Sequence, residues 1–171
     1  WCDTLYAVEP SFKPQWQAMT ASQIMAQVQE LSGGMPLLVT LSGGNPALQP
    51  LGELLQLGQQ QGYRFAIETQ GSKLQPWFAQ LDYLTLSPKP PSSGMPFDPA
   101  RLQACLQAAG EQTEVQLKLV IADETDYQWA REVAQKFPEV PLCLQPCNLQ
   151  AATPDQPEQE ADLTQLNVQY R

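Results

Sequence analysis

Three short strings in the sequence carry residue types that could bind or transform a small molecule. Residues 42–46 read Ser-Gly-Gly-Asn-Pro, and paired glycines let a backbone approach a ligand closely or adopt positive φ. Glu68 precedes a Gln-Gly turn, where a carboxylate at the end of a buried strand must be paired or must meet a ligand. Residues 87–89 read Ser-Pro-Lys, and the prolines on both sides of Lys89 fix its backbone.

Each string also has a purely structural explanation, and on the residues alone these alternatives stay open. Residues 42–46 fit an ordinary turn between a strand and a helix. Glu68 fits a salt bridge to a neighbouring lysine, or a cap on the next helix. Lys89 fits a solvated lysine on a rigid surface loop.

The elements that position these strings are strands alternating with helices. Apolar, partly β-branched runs predict strands at 37–41, 64–69, 82–87, 115–121 and 140–145, with one more at 166–170. Helical periodicity predicts helices at 22–31, 52–61, 99–109 and 124–137, and Asp98 is a good N-cap for the third. This alternation predicts an α/β fold with a parallel sheet, either doubly wound or a barrel. In both arrangements function gathers at the carboxyl ends of the strands, where all three strings lie.

Composition and charge narrow the classes of function. The chain has 171 residues, 43% of them hydrophobic, which fits one domain over residues 1–171 with an acidic, proline-containing loop at 151–161. Nine basic residues against eighteen acidic ones give a net charge of −9, and no basic stripe exists to bind nucleic acid directly. No apolar run is long enough for a membrane helix and no leader is visible, so we expect a cytoplasmic protein.

The histidine and cysteine content limits the chemistry further. Histidine is absent, which excludes imidazole acid–base catalysis and histidine-ligated zinc within this chain. Cys143 and Cys147 lack the second pair that a tetrahedral zinc site needs, and Cys105 lies among apolar residues of a predicted helix. We expect these three cysteines to be buried structural residues. Cys2 taken alone is also most simply a small buried hydrophobe.

In their order along the chain, the strings resemble the radical S-adenosylmethionine superfamily, and within it the 7-carboxy-7-deazaguanine synthase family of queuosine and deazapurine biosynthesis. The matching strings are Trp1-Cys2-Asp3-Thr4, residues 42–46, Glu68-Thr69-Gln70-Gly71-Ser72, residues 87–94 (Ser-Pro-Lys-Pro-Pro-Ser-Ser-Gly), Lys118-Leu119-Val120 and Gln145-Pro146. The string at 87–94 is the most specific to the family, whereas the others mark the superfamily.

The resemblance implies a partial, open TIM-like (βα) barrel and assigns residues to cofactors. It implies a [4Fe–4S] cluster held by three cysteines, the third of which matches Cys2. Thr4 matches a residue that offers an oxygen to Mg²⁺. The residues that would meet S-adenosylmethionine are Gly43, Gly44, Asn45, Ser87 and Lys89. The positions that match substrate-contacting residues are Ser42, Glu68 and Gln145.

The implied reaction is a radical ring contraction. Reductive cleavage of S-adenosylmethionine would give a 5′-deoxyadenosyl radical that abstracts hydrogen from 6-carboxy-5,6,7,8-tetrahydropterin, and loss of ammonia would give 7-carboxy-7-deazaguanine. The cofactor performs the difficult chemistry, and the protein orients the reactants and excludes solvent. The implied partners are the pterin substrate, an electron donor such as flavodoxin or ferredoxin, and a second copy of the chain in a homodimer.

Three departures from the family pattern matter. Two cluster cysteines and the first barrel strand should precede Trp1, Asn45 stands where the family usually has Glu, and a His-Lys segment usual near the end is missing. The chain thus looks truncated at both ends, and we predict that these residues alone hold no intact cluster and turn nothing over. Two alternatives stay open: a cluster-free binding module that keeps the pocket, and an unrelated barrel enzyme with Glu68 as base and Lys89 as its electrostatic partner.

Overall fold

The computed structural model describes residues 5–147 and places five parallel strands in one sheet. The strands are β1 (Leu38–Leu41), β2 (Arg64–Thr69), β3 (Tyr83–Leu86), β4 (Glu114–Ile121) and β5 (Leu142–Pro146). The α-helices are α1 (Ala21–Leu31), α2 (Gly52–Gln59), α3 (Pro99–Gln107) and α4 (Glu124–Lys136). Short 3-10 helices occupy Leu5–Ala7, Pro10–Gln15, Pro46–Leu48, Pro76–Gln80 and Pro91–Ser93. The predicted α/β class with a parallel sheet is confirmed.

The order of the strands distinguishes the two arrangements that the sequence left open. Each strand pairs in parallel with the next one along the chain. A doubly wound sheet reverses its order at a switch point, whereas sequential order is that of a barrel sheet. Within residues 5–147, β1 and β5 each pair on one side only, so this part of the sheet is open. The predicted strand at 166–170 and the loop at 151–161 lie outside the described residues.

Local signals fix where the helices begin. Thr20 and Gln23 form a capping box at the start of α1, in which each side chain accepts a hydrogen bond from the other's backbone N–H. The Asp98 carboxylate accepts from two backbone N–H groups in the first turn of α3, as predicted. Asp123 caps α4 by accepting from the Asp126 N–H at 2.9 Å. No helix within residues 5–147 combines the length and apolarity needed to cross a membrane.

The two faces of the sheet differ, because side chains alternate along each strand. One face is packed beneath helices, and its residues with at most 1% exposure include Phe65, Ile67, Leu84, Leu86, Leu117 and Leu119. The opposite face carries Glu68 of β2 and Lys118 of β4, both only partly buried. In a barrel this second face is the interior, so its polar residues at the carboxyl ends of the strands can reach a ligand.

Candidate functional site

A cavity of about 450 Å³ opens at the carboxyl ends of the strands. A smaller cavity of about 250 Å³ adjoins it, and the two share Gln70, Lys89 and Met95. Together they have the size of pockets that bind small organic molecules. The end of the sheet at which the sequence predicts function therefore carries two neighbouring cavities.

Most of the residues predicted for the site come together in the larger cavity. Those that line it are Ser42, Gly43, Gly44, Glu68, Ser87, Lys89 and Gln145. Asn45 is not part of the lining. Cys2 and Thr4, predicted to hold the cluster and Mg²⁺, lie outside the described residues. Segments that lie tens of residues apart in the sequence thus line the same cavity.

Gly43 and Gly44 bring the loop after β1 against the N-terminal segment. Both have positive φ, +89° and +57°, a conformation that residues with a Cβ rarely adopt. A Cβ on Gly44 would stand 3.1 Å from the carbonyl oxygen of Ala7. The glycine pair therefore permits the close approach of residues 7–8, and Val8, which follows Cys2 closely in the sequence, lines the cavity.

Asn45 ties the loop after β1 to the loop after β2. Its Oδ1 accepts a hydrogen bond from Thr69 Oγ1 at 2.6 Å, and its Nδ2 donates to Ser72 Oγ at 3.3 Å. Both ends of the amide are thus used within the protein. The role predicted for the Asn45 backbone, facing S-adenosylmethionine, stays a prediction.

Glu68 forms an ion pair with Lys118 inside the cavity. Lys118 Nζ lies 2.6 Å from Glu68 Oε1, although β3 separates the two strands. The lysine and glutamate side chains are 23% and 36% exposed, so a ligand in the cavity can reach the pair. The structural alternative for Glu68, a salt bridge to a lysine, is present, and it lies in the cavity. Lys118 is not among the site residues predicted from the sequence. Its position beside Glu68 depends on the order of the strands in the sheet, which the sequence alone does not show.

The Ser87 hydroxyl is buried in the cavity wall. The residue is 1% exposed, and its Oγ has no hydrogen-bond partner within residues 5–147. Leaving a buried polar group unsatisfied costs about 1–3 kcal/mol. A native protein keeps such a group for a reason, and a ligand in this cavity would supply the missing partner.

The described cysteines do not form a metal site. Cys105 and Cys147 are buried, as expected, whereas the expectation is wrong for Cys143, which is exposed on the edge strand β5. Burial raises the pKa of the Cys105 thiol, which lies 3.5 Å from the carbonyl oxygen of Gly71. Within residues 5–147 no group of three His, Cys, Asp or Glu side chains could hold a metal ion. These residues therefore do not fit a [4Fe–4S] cluster.

We expect the 171-residue chain to bind far fewer than four irons after anaerobic reconstitution with iron and sulfide. A cluster needs several neighbouring thiolates, and Cys105 lies in α3 while Cys143 and Cys147 lie on β5 and just after it. Iron and acid-labile sulfide per chain would be measured by colorimetric assay. The Cys143→Ser/Cys147→Ser variant controls for adventitious iron, and a full cubane on the unmodified chain would contradict the expectation.

Comparison with known proteins gives a consistent set of relatives. The chain is 41% identical over 157 residues to a 7-carboxy-7-deazaguanine synthase of Bacillus cereus and 38% identical over 159 residues to one of Bacillus subtilis. Each match covers 91% of this chain and 65% of the relative. A 7-carboxy-7-deazaguanine synthase of Synechocystis is 32% identical over 146 residues, or 85% of this chain and 61% of the relative. The resemblance predicted from the sequence strings is confirmed.

A solved structure supports the fold. The crystal structure of QueE from Escherichia coli superposes with a TM-score of 0.59 at 22% identity, covering 91% of this chain and 60% of that one. At this identity the likeness shows the fold, and it agrees with the sequential parallel sheet. The chain spans about 65% of the length of the curated relatives first named above. No family model matches the sequence.

Proposed function

Because this chain is homologous over 91% of its length to 7-carboxy-7-deazaguanine synthases, we propose that it provides the core of such an enzyme. The reaction would convert 6-carboxy-5,6,7,8-tetrahydropterin into 7-carboxy-7-deazaguanine with loss of ammonia. The observation that carries the proposal is the cavity at the strand ends. Three features meet there: a buried hydroxyl with no partner among residues 5–147, a reachable ion pair, and a backbone lined by glycines.

The residues on one side of the cavity fit S-adenosylmethionine. When bound, this molecule supplies the radical chemistry that starts the ring contraction. Ser87 would hydrogen-bond a polar group of the nucleoside, which satisfies its buried Oγ. Lys89 would place its ammonium near the anionic part of the ligand. Gly43 and Gly44 would let the backbone approach the methionyl amine, since glycine has no side chain of its own.

The ion pair fits the pterin substrate. Glu68 would accept hydrogen bonds from ring N–H groups, and Lys118 would meet the substrate carboxylate. In the free protein the two side chains neutralise each other across 2.6 Å. A ligand that offers donors and an anion can therefore replace each charge with a matching group, which limits the desolvation cost of binding. Ser42 and Gln145 would add polar contacts at the rim of the same cavity.

Four further assignments rest on the relationship to the family. We propose that Cys2 supplies one cluster thiolate and that Thr4 supplies an oxygen ligand for Mg²⁺. We also propose that flavodoxin or ferredoxin delivers the electron, and that the enzyme works as a cytoplasmic homodimer. The residues between 5 and 147 do not fit the cluster, so the chemistry assigned above to these residues is binding and orientation.

The test is an anaerobic assay on the protein as the cell produces it, after reconstitution with iron and sulfide. We expect 7-carboxy-7-deazaguanine to form, with 5′-deoxyadenosine beside it, as measured by liquid chromatography and mass spectrometry. Ser87→Ala should lower kcat/KM for S-adenosylmethionine about tenfold, the equivalent of one hydrogen bond to a buried group. Ser22→Ala, an exposed serine on α1, is the matched control and should leave the rate unchanged.

The same assay can also contradict the proposal. A protein that carries a complete cluster and binds S-adenosylmethionine, yet forms no product from the pterin, would overturn the proposal. Binding of both small molecules with no turnover would favour the alternative of a non-catalytic module that retains the pocket.

A further inference from the structure

Asp126 is a fully buried carboxylate that lies outside both cavities. It is 0% exposed and belongs to neither lining. Its Oδ1 accepts from the Ser92 backbone N–H at 3.0 Å, and its Oδ2 accepts from Ser92 Oγ at 2.6 Å and from the Ala122 N–H at 3.0 Å. The ion pairs found within residues 5–147 do not include it. Two of its three donors thus belong to one residue of the loop at 87–94.

The hydrogen bonds of the Asp126 carboxylate have a role besides stabilising the start of α4. A buried carboxylate is costly unless hydrogen bonds and dipoles meet its charge. Asp126 is the third residue of α4, where the helix dipole favours negative charge. The capping of α4 is already performed by Asp123, which accepts from the Asp126 N–H. The Asp126 carboxylate therefore directs two of its three hydrogen bonds to the loop, and the third to Ala122, which precedes the cap of α4.

The loop it binds supplies part of the cavity wall. Lys89, Ser93 and Met95 line the cavity on either side of Ser92. The turn is closed internally, since Ser93 Oγ donates to the Pro90 carbonyl at 2.6 Å and Gly94 ends the turn with φ of +68°. A closed turn is a rigid unit, so its orientation is set by whatever attaches it to the rest of the protein.

We propose that Asp126 is a positioning residue that attaches this rigid turn to α4 through Ser92 and so aims Lys89 and Ser93 into the cavity. A loop that is already ordered spares the ligand the cost of ordering it. The identity of the ligand as S-adenosylmethionine rests on the proposed function. The attachment of the loop by Asp126 does not.

Hydrogen exchange tests the attachment without reference to activity. In Asp126→Asn only one oxygen remains, so the new amide NH₂ must face either the Ser92 N–H or the Ala122 N–H, both of which are donors. We expect the amides of residues 92–95 to exchange at least about tenfold faster than in the unchanged protein. Ser92→Ala, which removes only the hydroxyl contact, should give an intermediate exchange rate. Ser92→Thr keeps a hydroxyl and should return the exchange rate to that of the unchanged protein.

Asp123→Ala is the matched control, because it removes the cap of the same helix and leaves the contacts to Ser92 in place. If the 92–95 amides exchange as fast in Asp123→Ala as in Asp126→Asn, the loop merely follows the stability of α4 and the proposal is overturned. Ser92→Ala keeps the test decisive should Asp126→Asn fail to fold, since Ser92 is exposed and its loss leaves the core intact.

Titration calorimetry with S-adenosylmethionine, on the reconstituted protein as the cell produces it, links the attachment to the site. We expect Asp126→Asn to raise Kd about tenfold with an unchanged number of binding sites per chain. A merely structural role would instead lower the number of binding-competent chains at constant Kd, which would overturn the proposal. If the unchanged protein does not bind S-adenosylmethionine, the proposed function fails, while the exchange rates still decide whether Asp126 holds the loop.

Discussion

Gly58→Ala is expected to destabilise the domain by about 1–3 kcal/mol, although alanine is the better helix former by about 1 kcal/mol. Gly58 is buried in α2, and a Cβ at this position would stand 2.6 Å from Cε2 of Phe65 and closer still to its Cζ. The Phe65 ring is 0% exposed and packed in the core, so it has little room to move. The steric cost therefore exceeds the gain in helix propensity. Urea denaturation would measure the free energy of unfolding.

The same helix provides the control for this substitution. A Cβ on Gly52 would meet Trp77 at 3.6 Å, an ordinary van der Waals distance. Gly52→Ala should therefore be neutral or slightly stabilising. The double variant Gly58→Ala/Phe65→Leu should lose less stability than the sum of the losses of the two single variants, because the smaller side chain removes the clash. A Gly58→Ala variant as stable as Gly52→Ala would show that the ring accommodates the methyl group.

Glu68→Gln is expected to lower kcat/KM for 6-carboxy-5,6,7,8-tetrahydropterin by about 10–100-fold. Hydrogen bonds to a charged group contribute about 1.5–3 kcal/mol, and the neutral amide loses that strength toward ring N–H groups. It also leaves the Lys118 ammonium without the negative charge that lies 2.6 Å from it. Lys118→Met should act in the same direction. The double variant should lose less than the product of the two single effects, because both changes break one ion pair.

Arg64 and Asp82 supply the comparison pair. They are joined at 3.0 Å at the opposite, amino-terminal ends of β2 and β3, away from the cavity. Arg64→Met removes a comparable ion pair from the same sheet and should change kcat/KM less than about twofold, because an exposed pair contributes little. Equal losses from Arg64→Met and Glu68→Gln would mean that both act through stability, and that Glu68 does not bind substrate.

The parts of the fold that follow from local signals could be predicted from the sequence. β2 occupies the predicted range 64–69, because its apolar run ends at a turn with Gly71. The Asp98 cap forms as predicted for the same reason: its partners are the next residues in the chain. The gathering of residues 42–46, Glu68 and 87–89 in one cavity also follows, since the carboxyl ends of parallel strands share one edge of a sheet.

What the sequence could not provide is the identity of distant partners. Glu68 meets Lys118 across β3, and that contact depends on strand order and on the side to which each residue points. Asp126 reads as a typical acidic residue in the first turn of a helix, and nothing local indicates Ser92 as its partner. The error at Cys143 has a similar origin. Apolar composition predicts a buried strand, and β5 is an edge strand within the described residues.

The sequential order of the strands has a consequence for how the domain assembles during synthesis. Each strand pairs with the one made just before it, so a chain leaving the ribosome can add strands one by one to a finished edge. No described strand waits for a neighbour that is translated much later, which keeps the loops to be closed short. The contacts of the candidate site form later than the pairing of the first strands. Glu68 stays without its partner until β4 is made, and the loop at 87–94 stays unattached until α4 is made. Gln145, which lines the cavity, comes later still, on the last described strand. The cavity is thus completed only when nearly all of the described sheet has been made.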